Sequence, residues 1–192
     1  MVYIFSNAHT YPSISEFGTR IRENFKVNNE DKLVFLNTTV PLQAATDYFE
    51  KLGKDYNNIY CILRAFPLGK LHFYWGVEWV ARHRYMFNTI YLLNHNWNIN
   101  TGFDTFVTSV DPKTEDTVEL EIDNTFIDNY PDKDQMPTAG FYAYHLVQQF
   151  FRTDQITLVN FYGSSNNSTP KWNGHNWNFE EEYFKDKPKI FV

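Results

Sequence analysis

The stretch that decides the fold is Ile156-Thr157-Leu158-Val159-Asn160, a short apolar run near the end of the chain. Such a run is typical of a strand that is buried on both faces of a parallel sheet. Upstream, Pro137-Thr138-Ala139-Gly140 opens a helical pattern, and downstream Gly174-His175-Asn176-Trp177 leads into an acidic one. In open α/β sheets ligands bind where strands end and helices begin. The order of these pieces therefore predicts a binding site at the carboxyl ends of the strands.

The rest of the chain alternates short apolar runs with helical periodicity. The predicted strands span residues 2–5, 33–36, 58–63 and 89–93, and the predicted helices span 13–25, 41–52, 69–87 and 137–151. Residues 94–135 are less regular and hold only short β-like pieces. This alternation predicts a single α/β domain over residues 1–192. Its sheet is expected to be open, mostly parallel, Rossmann-like and doubly wound, with helices on both faces.

Composition narrows the class of protein. The net charge of the 192-residue chain is −6, which argues against nucleic-acid partners because non-specific binding to them needs a basic surface. No apolar run reaches the roughly 18 residues of a membrane helix, and no basic region precedes an apolar core at the N-terminus. We therefore expect a cytoplasmic protein with no transmembrane segment. The one cysteine, Cys61, lies in an apolar run and is expected to be a buried thiol.

Three polar residues, Asn7, Asn37 and Arg64, lie at the ends of predicted strands in the N-terminal half. If the strands are parallel, their side chains gather at one edge of the sheet, where a nucleotide can bind. The alternative is that asparagine simply suits strand-to-loop turns. The loop at 6–10, which includes Thr10, lacks the glycines of a dinucleotide-binding fingerprint, and the chain has no phosphate-loop lysine motif. Neither NAD nor ATP is therefore indicated.

A second candidate feature is the start of the helix at 137–151. Thr138, Ala139 and Gly140 occupy its first turn, where free N–H groups and the positive end of the helix dipole attract anions. The alternative is that small residues allow the helix to pack closely on the sheet. Tyr162, just past the last apolar run, is placed either to donate a hydrogen bond to a leaving phosphate or to act as an ordinary aromatic residue at the rim of the sheet.

His175 is the candidate general base, because an imidazole is the side chain best suited to taking a proton near pH 7. Glu180 is the candidate that orients it, and the alternative for the acidic residues is helix capping, with Asn178 and Glu181 spaced as a capping box. The sequence at 95–98 repeats the His-Asn-Trp-Asn that begins at His175, an echo short enough to arise by chance. No spacing typical of metal ligands occurs, so neither a metal nor a cofactor is predicted.

Four stretches in order carry a likeness to a known family. They are Ile4-Phe5-Ser6-Asn7-Ala8, Leu33-Val34-Phe35-Leu36-Asn37, Thr138-Ala139-Gly140-Phe141, and Asn160-Phe161-Tyr162-Gly163 followed by Gly174-His175-Asn176-Trp177 with acidic residues after it. In this order they resemble the sialyltransferase-like glycosyltransferases, especially the bacterial group that uses CMP-activated sugars. The resemblance spans most of the chain.

The resemblance implies a metal-independent inverting transfer. His175 corresponds to the general base on the acceptor hydroxyl, Glu180 to the acidic residue after it, and Tyr162 to the group that supports the leaving phosphate. Asn7 and Asn37 correspond to the donor contacts, and the turn at Thr138 corresponds to the one that cradles the cytidine nucleotide. The predicted nucleotide-binding set is Asn7, Thr10, Asn37, Arg64, Thr138, Ala139, Gly140 and Phe161.

The chain also departs from the family pattern. Ser6 and Ala8 stand where the family has glycines. The hydroxyl contact of the family's first loop then falls on Thr10, or on Ser13 after an insertion. The segment at 164–173, between the last strand and the histidine, is shorter than the corresponding lid of the family.

The predicted function is transfer of a CMP-activated, sialic acid-like sugar to a glycan acceptor in surface polysaccharide synthesis. One alternative is a non-catalytic module of the same fold that binds a sugar nucleotide or a glycan. Another is a protein-interaction domain, for which the aromatic residues at 73–75 and Trp79 on one predicted helix are suggestive. A homo-oligomer stays open.

Overall fold

The computed structural model describes residues 1–6, 11–37, 39–55, 57–65, 74–98, 102–131, 134–161 and 174–192. The strands in these ranges are β1 (Val2–Phe5), β2 (Lys32–Leu36), β3 (Ile59–Ala65), β4 (Thr89–Asn98), β5 (Gly102–Val110), β6 (Thr117–Leu120), β7 (Ile156–Val159) and β8 (Lys189–Ile190). The helices are α1 (Ile14–Asn24), α2 (Val40–Ala44), α3 (Thr46–Asp55), α4 (Tyr74–Arg82), α5 (Thr125–Asp128), α6 (Ala139–Phe151) and α7 (Trp177–Phe184). A 3-10 helix at Arg84–Met86 lies between α4 and β4.

The described strands join one open sheet in the order β6-β5-β4-β3-β2-β1-β7-β8. The strands β1 to β4, β7 and β8 run parallel to one another. The strands β5 and β6 pair antiparallel and extend the sheet beyond β4. The predicted α/β class with an open, mostly parallel sheet is confirmed.

The strand order turns back at β1. From β1 the chain moves outward to β2, β3 and β4, and it returns through α6 to β7 on the opposite side of β1. The register sets Phe5 beside Phe35 of β2 and beside Val159 of β7, so the carboxyl ends of these three strands lie close together. The crevice outside such a reversal is where open α/β sheets bind their ligands.

Two apolar cores cover the two faces of the sheet, because successive strand residues point to opposite faces. Ile4 belongs to the core that contains side chains of α6 and α7, and Phe5 to the core that contains side chains of α1 to α4. Both residues are completely buried. Burying a side chain of this size stabilises the fold by about 1.5–3 kcal/mol. Phe5 also stacks on Phe35, with ring centroids 4.6 Å apart.

Helix α1 begins where the sequence predicts. Ser13 Oγ accepts a hydrogen bond from Glu16 N at 3.1 Å, so the hydroxyl caps the helix. Gly18, further along α1, faces the backbone of α2, and a Cβ at this position would lie 2.0 Å from Ala44 O. The absence of a side chain therefore allows the two helices to approach each other.

The structure differs from the predicted helices in where two of them begin or end. The helix expected over 41–52 is two helices, α2 and α3, because the chain turns at Ala45, whose φ is −132°. The acidic helix α7 is capped by Asn176, whose Oδ1 accepts from Phe179 N at 3.1 Å. Asn178 therefore lies inside the helix, and the capping box expected from it is wrong. Of the helix expected over 69–87, the described part contains α4 and the 3-10 helix.

The stretch at 94–135, expected to be irregular, contains most of an antiparallel extension of the sheet. His95 of β4 lies opposite Thr105 of β5, and Val107 of β5 lies opposite Leu120 of β6. The sequence did not predict the last strand, β8. Its two residues pair with Leu158 and Val159 of β7, and a run so short leaves no local pattern.

Composition led to two expectations, a buried Cys61 and no membrane-spanning helix. Cys61 lies on β3 and is completely buried, as expected, and its burial raises the pKa of the thiol. In the ranges that the structure describes, no helix combines the length and the apolar character needed to cross a membrane.

Candidate functional site

The carboxyl ends of β2 and β3 meet the start of α6. Asn37 directly follows β2, and its Oδ1 accepts a hydrogen bond from Arg64 N at 3.2 Å. Arg64 Nη2 donates to Pro137 O at 2.5 Å, two residues before α6 begins. The parallel sheet thus brings together two of the predicted strand-end residues and the predicted helix start, as the sequence indicated.

Arg64 is the central charge of this site. Its side chain is only 6% exposed, and desolvation lowers the pKa of the guanidinium to about 10. Interactions with Tyr142, Glu180 and Tyr130 act in the opposite direction. Arg64 therefore remains a cation at neutral pH, held in a largely water-free environment where its electrostatic effect is strong.

Glu180 is a residue of α7 that is completely buried, and its carboxylate contacts Thr138 at the start of α6. Its Oε1 accepts from Thr138 N at 2.7 Å and from Tyr130 OH at 2.9 Å, and its Oε2 accepts from Thr138 Oγ1 at 2.5 Å. Thr138 Oγ1 also caps α6 by accepting from Phe141 N at 3.1 Å. A carboxylate of the chain itself therefore binds where an anionic ligand was expected to meet Thr138.

Gly140 and Phe161 account for the small residues at this helix start. A Cβ at Gly140 would lie 2.6 Å from Cε1 of Phe161, which follows β7 and is buried. Ala139, the first residue of α6, is also buried. This geometry favours the alternative drawn from the sequence, in which small residues allow the helix to pack closely.

His175 lies just before α7 and contacts the segment that precedes α6. Its Nδ1 forms a short hydrogen bond with Met136 O, and Met136 N donates to Gly174 O at 2.8 Å. Because a carbonyl oxygen only accepts, Nδ1 carries the proton and Nε2 has the lone pair in the neutral ring. Burial lowers the pKa of His175 to about 4; the bond to Met136 raises it and the charge of Arg64 lowers it.

Tyr130 is a site residue that the sequence did not indicate. Its hydroxyl donates to Glu180 and accepts from Asn176 N at 3.0 Å, so it links Glu180 to the residue after His175. Burial and the neighbouring carboxylate raise the pKa of Tyr130. Glu180 is thus connected to the histidine turn through Tyr130. No local signal marks this tyrosine in a turn-rich, acidic stretch.

His95, which the sequence indicated only as an echo of His175 and not as a site residue, lies near Arg64 and His175. It is buried on β4, and its Nδ1 pairs with Thr105 Oγ1 at 2.9 Å, while Thr105 Oγ1 pairs with Tyr142 OH at 3.0 Å. The pKa of His95 is lowered to about 2, mostly by burial and in smaller part by the charges of Arg64 and His175. The two histidines of the sequence echo therefore lie in one electrostatic neighbourhood.

Several predicted residues lie outside the described ranges. Asn7, Thr10 and Tyr162 belong to this group. On the predicted aromatic helix, the described side chain of Trp79 is half-buried and stacks on His83, with ring centroids 4.0 Å apart. Among the described residues, no group of three or more histidine, cysteine, aspartate or glutamate side chains is arranged to hold a metal ion.

Comparison of the chain with protein-family models, with curated proteins and with solved structures finds no match in any of the three.

Proposed function

We propose that the chain is a sialyltransferase-like glycosyltransferase with a Rossmann-like, doubly wound fold. It transfers a CMP-activated, sialic acid-like sugar to a glycan acceptor in surface polysaccharide synthesis, with inversion and without a metal. The observation that carries the proposal is the convergence of Asn37, Arg64, the start of α6 and His175 at the carboxyl edge of one parallel sheet. This edge is where such folds bind ligands.

His175 is the general base in this mechanism. With Nδ1 donating to Met136 O, the lone pair of Nε2 takes the proton of the acceptor hydroxyl. The acceptor oxygen forms a bond to the anomeric carbon of the donor. The bond from that carbon to the phosphate oxygen breaks, and CMP leaves with the electron pair. A pKa of about 4 keeps the ring neutral, and so able to accept a proton, at pH 7.

Arg64 provides the positive charge that the leaving group requires. A cation in a water-excluded site stabilises developing negative charge more strongly than it would in water. Its charge also lowers the pKa of His175. A phosphate that binds nearby offsets that charge and so raises the pKa of His175, while burial, the largest cause of the lowered pKa, continues to act. For Tyr162, which lies outside the described residues, the proposed role is to donate a hydrogen bond to that phosphate.

The experiment that tests this function compares two substitutions of His175 in a CMP-sugar transfer assay. His175→Ala should lower turnover roughly 10²- to 10⁴-fold, the usual contribution of a general base. His175→Asn should lose as much turnover, although its amide can still donate to Met136 O. Affinity for CMP, measured by calorimetry, should stay within a few-fold in both variants and should not respond to EDTA.

Either full turnover in His175→Asn or a requirement for Mg²⁺ or Mn²⁺ would contradict the mechanism.

The second candidate function is a non-catalytic module that binds a sugar nucleotide or a glycan. The observation that favours it is Glu180, because this buried carboxylate already occupies the helix start that was expected to cradle the nucleotide. Tight CMP binding without transfer of any CMP-sugar would support the module.

A further inference from the structure

Two asparagines follow the strands on either side of β1, at levels of the sheet that differ by one residue. Asn37 directly follows β2 and Asn160 directly follows β7, and these are the two strands that pair with β1. Both residues have a left-handed backbone, with φ of 46° and 58°. Asparagine tolerates this conformation better than most residues, which explains the residue type but not the use of its side chain.

Both side chains use their oxygen in the same way. Asn37 Oδ1 accepts from Arg64 N on β3, and Asn160 Oδ1 accepts from Val192 N, just past β8, at 3.0 Å. The strands β3 and β8 are the outer neighbours of β2 and β7. A carboxamide is planar and carries its oxygen and its nitrogen on separate arms of one carbon. Each Nδ2 therefore faces a different direction from the oxygen that accepts the backbone N–H of the outer segment.

Of the two amide nitrogens, that of Asn160 gives the stronger evidence for a ligand. Asn160 is 8% exposed, and its Nδ2 is buried with no hydrogen-bond partner in the structure as described. The orientation of the amide is not arbitrary, because a flipped amide would set its NH₂ against the N–H of Val192. A buried donor of this kind normally has an acceptor, either water or a ligand.

We propose that Asn160 is a ligand-binding residue whose Nδ2 donates to an acceptor oxygen of the nucleotide, paired across the end of β1 with Nδ2 of Asn37. This inference rests on the proposed function and deepens it. The two residues are two strand spacings apart, about 10 Å, which a mononucleotide spans. The acceptor is either a phosphate oxygen or a carbonyl oxygen of the base, both of which accept from an amide N–H.

A purely structural role does not account for the amide nitrogen. The bond to Val192 N needs only an acceptor, and an aspartate would supply the same oxygen and tolerate the same backbone. The residue after β7 instead carries a donor that the described fold does not use. Asn160→Asp is therefore the substitution that isolates this donor, since it keeps the oxygen and exchanges only the NH₂ group.

The test measures binding of CMP, cytidine and inorganic phosphate by calorimetry to the wild-type chain, to Asn160→Asp and to Asn88→Asp. The last variant adds the same charge at the amino end of β4, on the opposite edge of the sheet, where Asn88 Nδ2 donates to Asn57 O. We expect Asn160→Asp to weaken CMP binding roughly 10- to 100-fold, because an acceptor replaces a donor. Asn88→Asp should change it less than twofold.

The three probes identify which part of the nucleotide is bound. Weakened binding of CMP and phosphate with unchanged cytidine identifies the phosphate, and equal weakening of CMP and cytidine identifies the base. The side-chain amide resonance of Asn160, assigned by its absence from Asn160→Asp, should shift when CMP is added. If Asn160→Asp folds poorly, Asn160→Gly keeps the left-handed backbone without strain and should weaken CMP binding as well.

CMP binding that Asn160→Asp and Asn160→Gly both leave unchanged overturns this inference and leaves the proposed function intact. An amide resonance of Asn160 that does not respond to CMP overturns it equally. CMP binding that these variants weaken, in a chain that transfers no sugar, supports the inference and overturns the transferase. If the wild-type chain binds none of the three probes, both proposals fail.

Discussion

Glu180 illustrates how a single buried carboxylate can connect segments that are distant in the sequence. Among the described residues, its two oxygens accept hydrogen bonds from Thr138 N, Thr138 Oγ1 and Tyr130 OH. A buried charge is costly unless donors surround it, and the backbone N–H at a helix start is among the best of these donors. Through Tyr130 the same carboxylate also positions Asn176, and with it the turn that carries His175.

Glu180→Gln should lower the free energy of unfolding by about 1–3 kcal/mol, because the oxygen that accepts from Thr138 Oγ1 becomes a donor that faces it. The matched control is Glu182→Gln on the same helix, whose side chain is exposed and pairs with Lys185. This control should change stability by less than about 0.5 kcal/mol. Urea denaturation of both variants checks the difference. Equal losses would mean that the contacts of Glu180 add little to stability.

At the scale of elements, the start of α6 is defined by how closely it approaches the end of β7. Gly140 faces the ring of Phe161, and Thr138 caps the helix with its hydroxyl. The ring of Phe161 also packs on Phe184 of α7, with centroids 5.9 Å apart. One aromatic residue after β7 therefore sets the distance between the sheet and both helices on this face.

Gly140→Ala should destabilise the chain by about 1–3 kcal/mol, because the added methyl group forces Phe161 to move and this cost exceeds the gain in helix propensity. Gly18→Ala should cost more, since the obstacle there is the backbone oxygen of Ala44 and not a movable ring. The double variant Gly140→Ala with Phe161→Leu should be less destabilised than the sum of its single changes. Thermal unfolding of these variants is the measurement. Strict additivity would contradict the packing interpretation.

At the scale of the whole molecule, three histidines, one buried and two half-buried, make stability depend on pH. Burial is the largest cause that lowers the pKa of His95 to about 2 and the pKa values of His145 and His175 to about 4. In the unfolded chain a histidine takes up its proton near pH 6.5. The contribution of these residues is therefore fully present above about pH 6.5 and is lost as the pH falls from there toward 4.

The melting temperature should accordingly fall between pH 7 and pH 4.5, and His145→Phe should reduce this fall. The ring of His145 stacks on Phe126 with centroids 4.3 Å apart, and its buried Nε2 has no hydrogen-bond partner within the described residues. A phenyl ring fits the same aromatic surroundings without a proton to gain. Calorimetric melting curves at several pH values check this expectation. Parallel pH profiles for the two proteins would show that His145 does not contribute.

Much of the fold was accessible from the sequence because the signals involved are local. The apolar runs at 33–36 and 156–160 predicted β2 and β7, and Ser13 with Glu16 predicted the start of α1. The α/β class with a mostly parallel sheet followed from the alternation of strands and helices. At the site, the sequence indicated Asn37, Arg64 and the start of α6, because parallel strands must end at one edge.

Only the tertiary structure decided which of these groups touch. Glu180 contacts Thr138 across 42 positions of the chain, and Arg64 contacts Pro137 across 73. Which contacts form depends on the strand order, on register and on the packing of α6 and α7, and no window of neighbouring residues contains that information. For the same reason no sequence pattern assigned Tyr130 or His95 to the site. Nor did one indicate that Asn160 carries a buried amide nitrogen with no described hydrogen-bond partner. Periodicity and capping act over a few residues, whereas a buried polar site is assembled from segments that meet only when the sheet has formed.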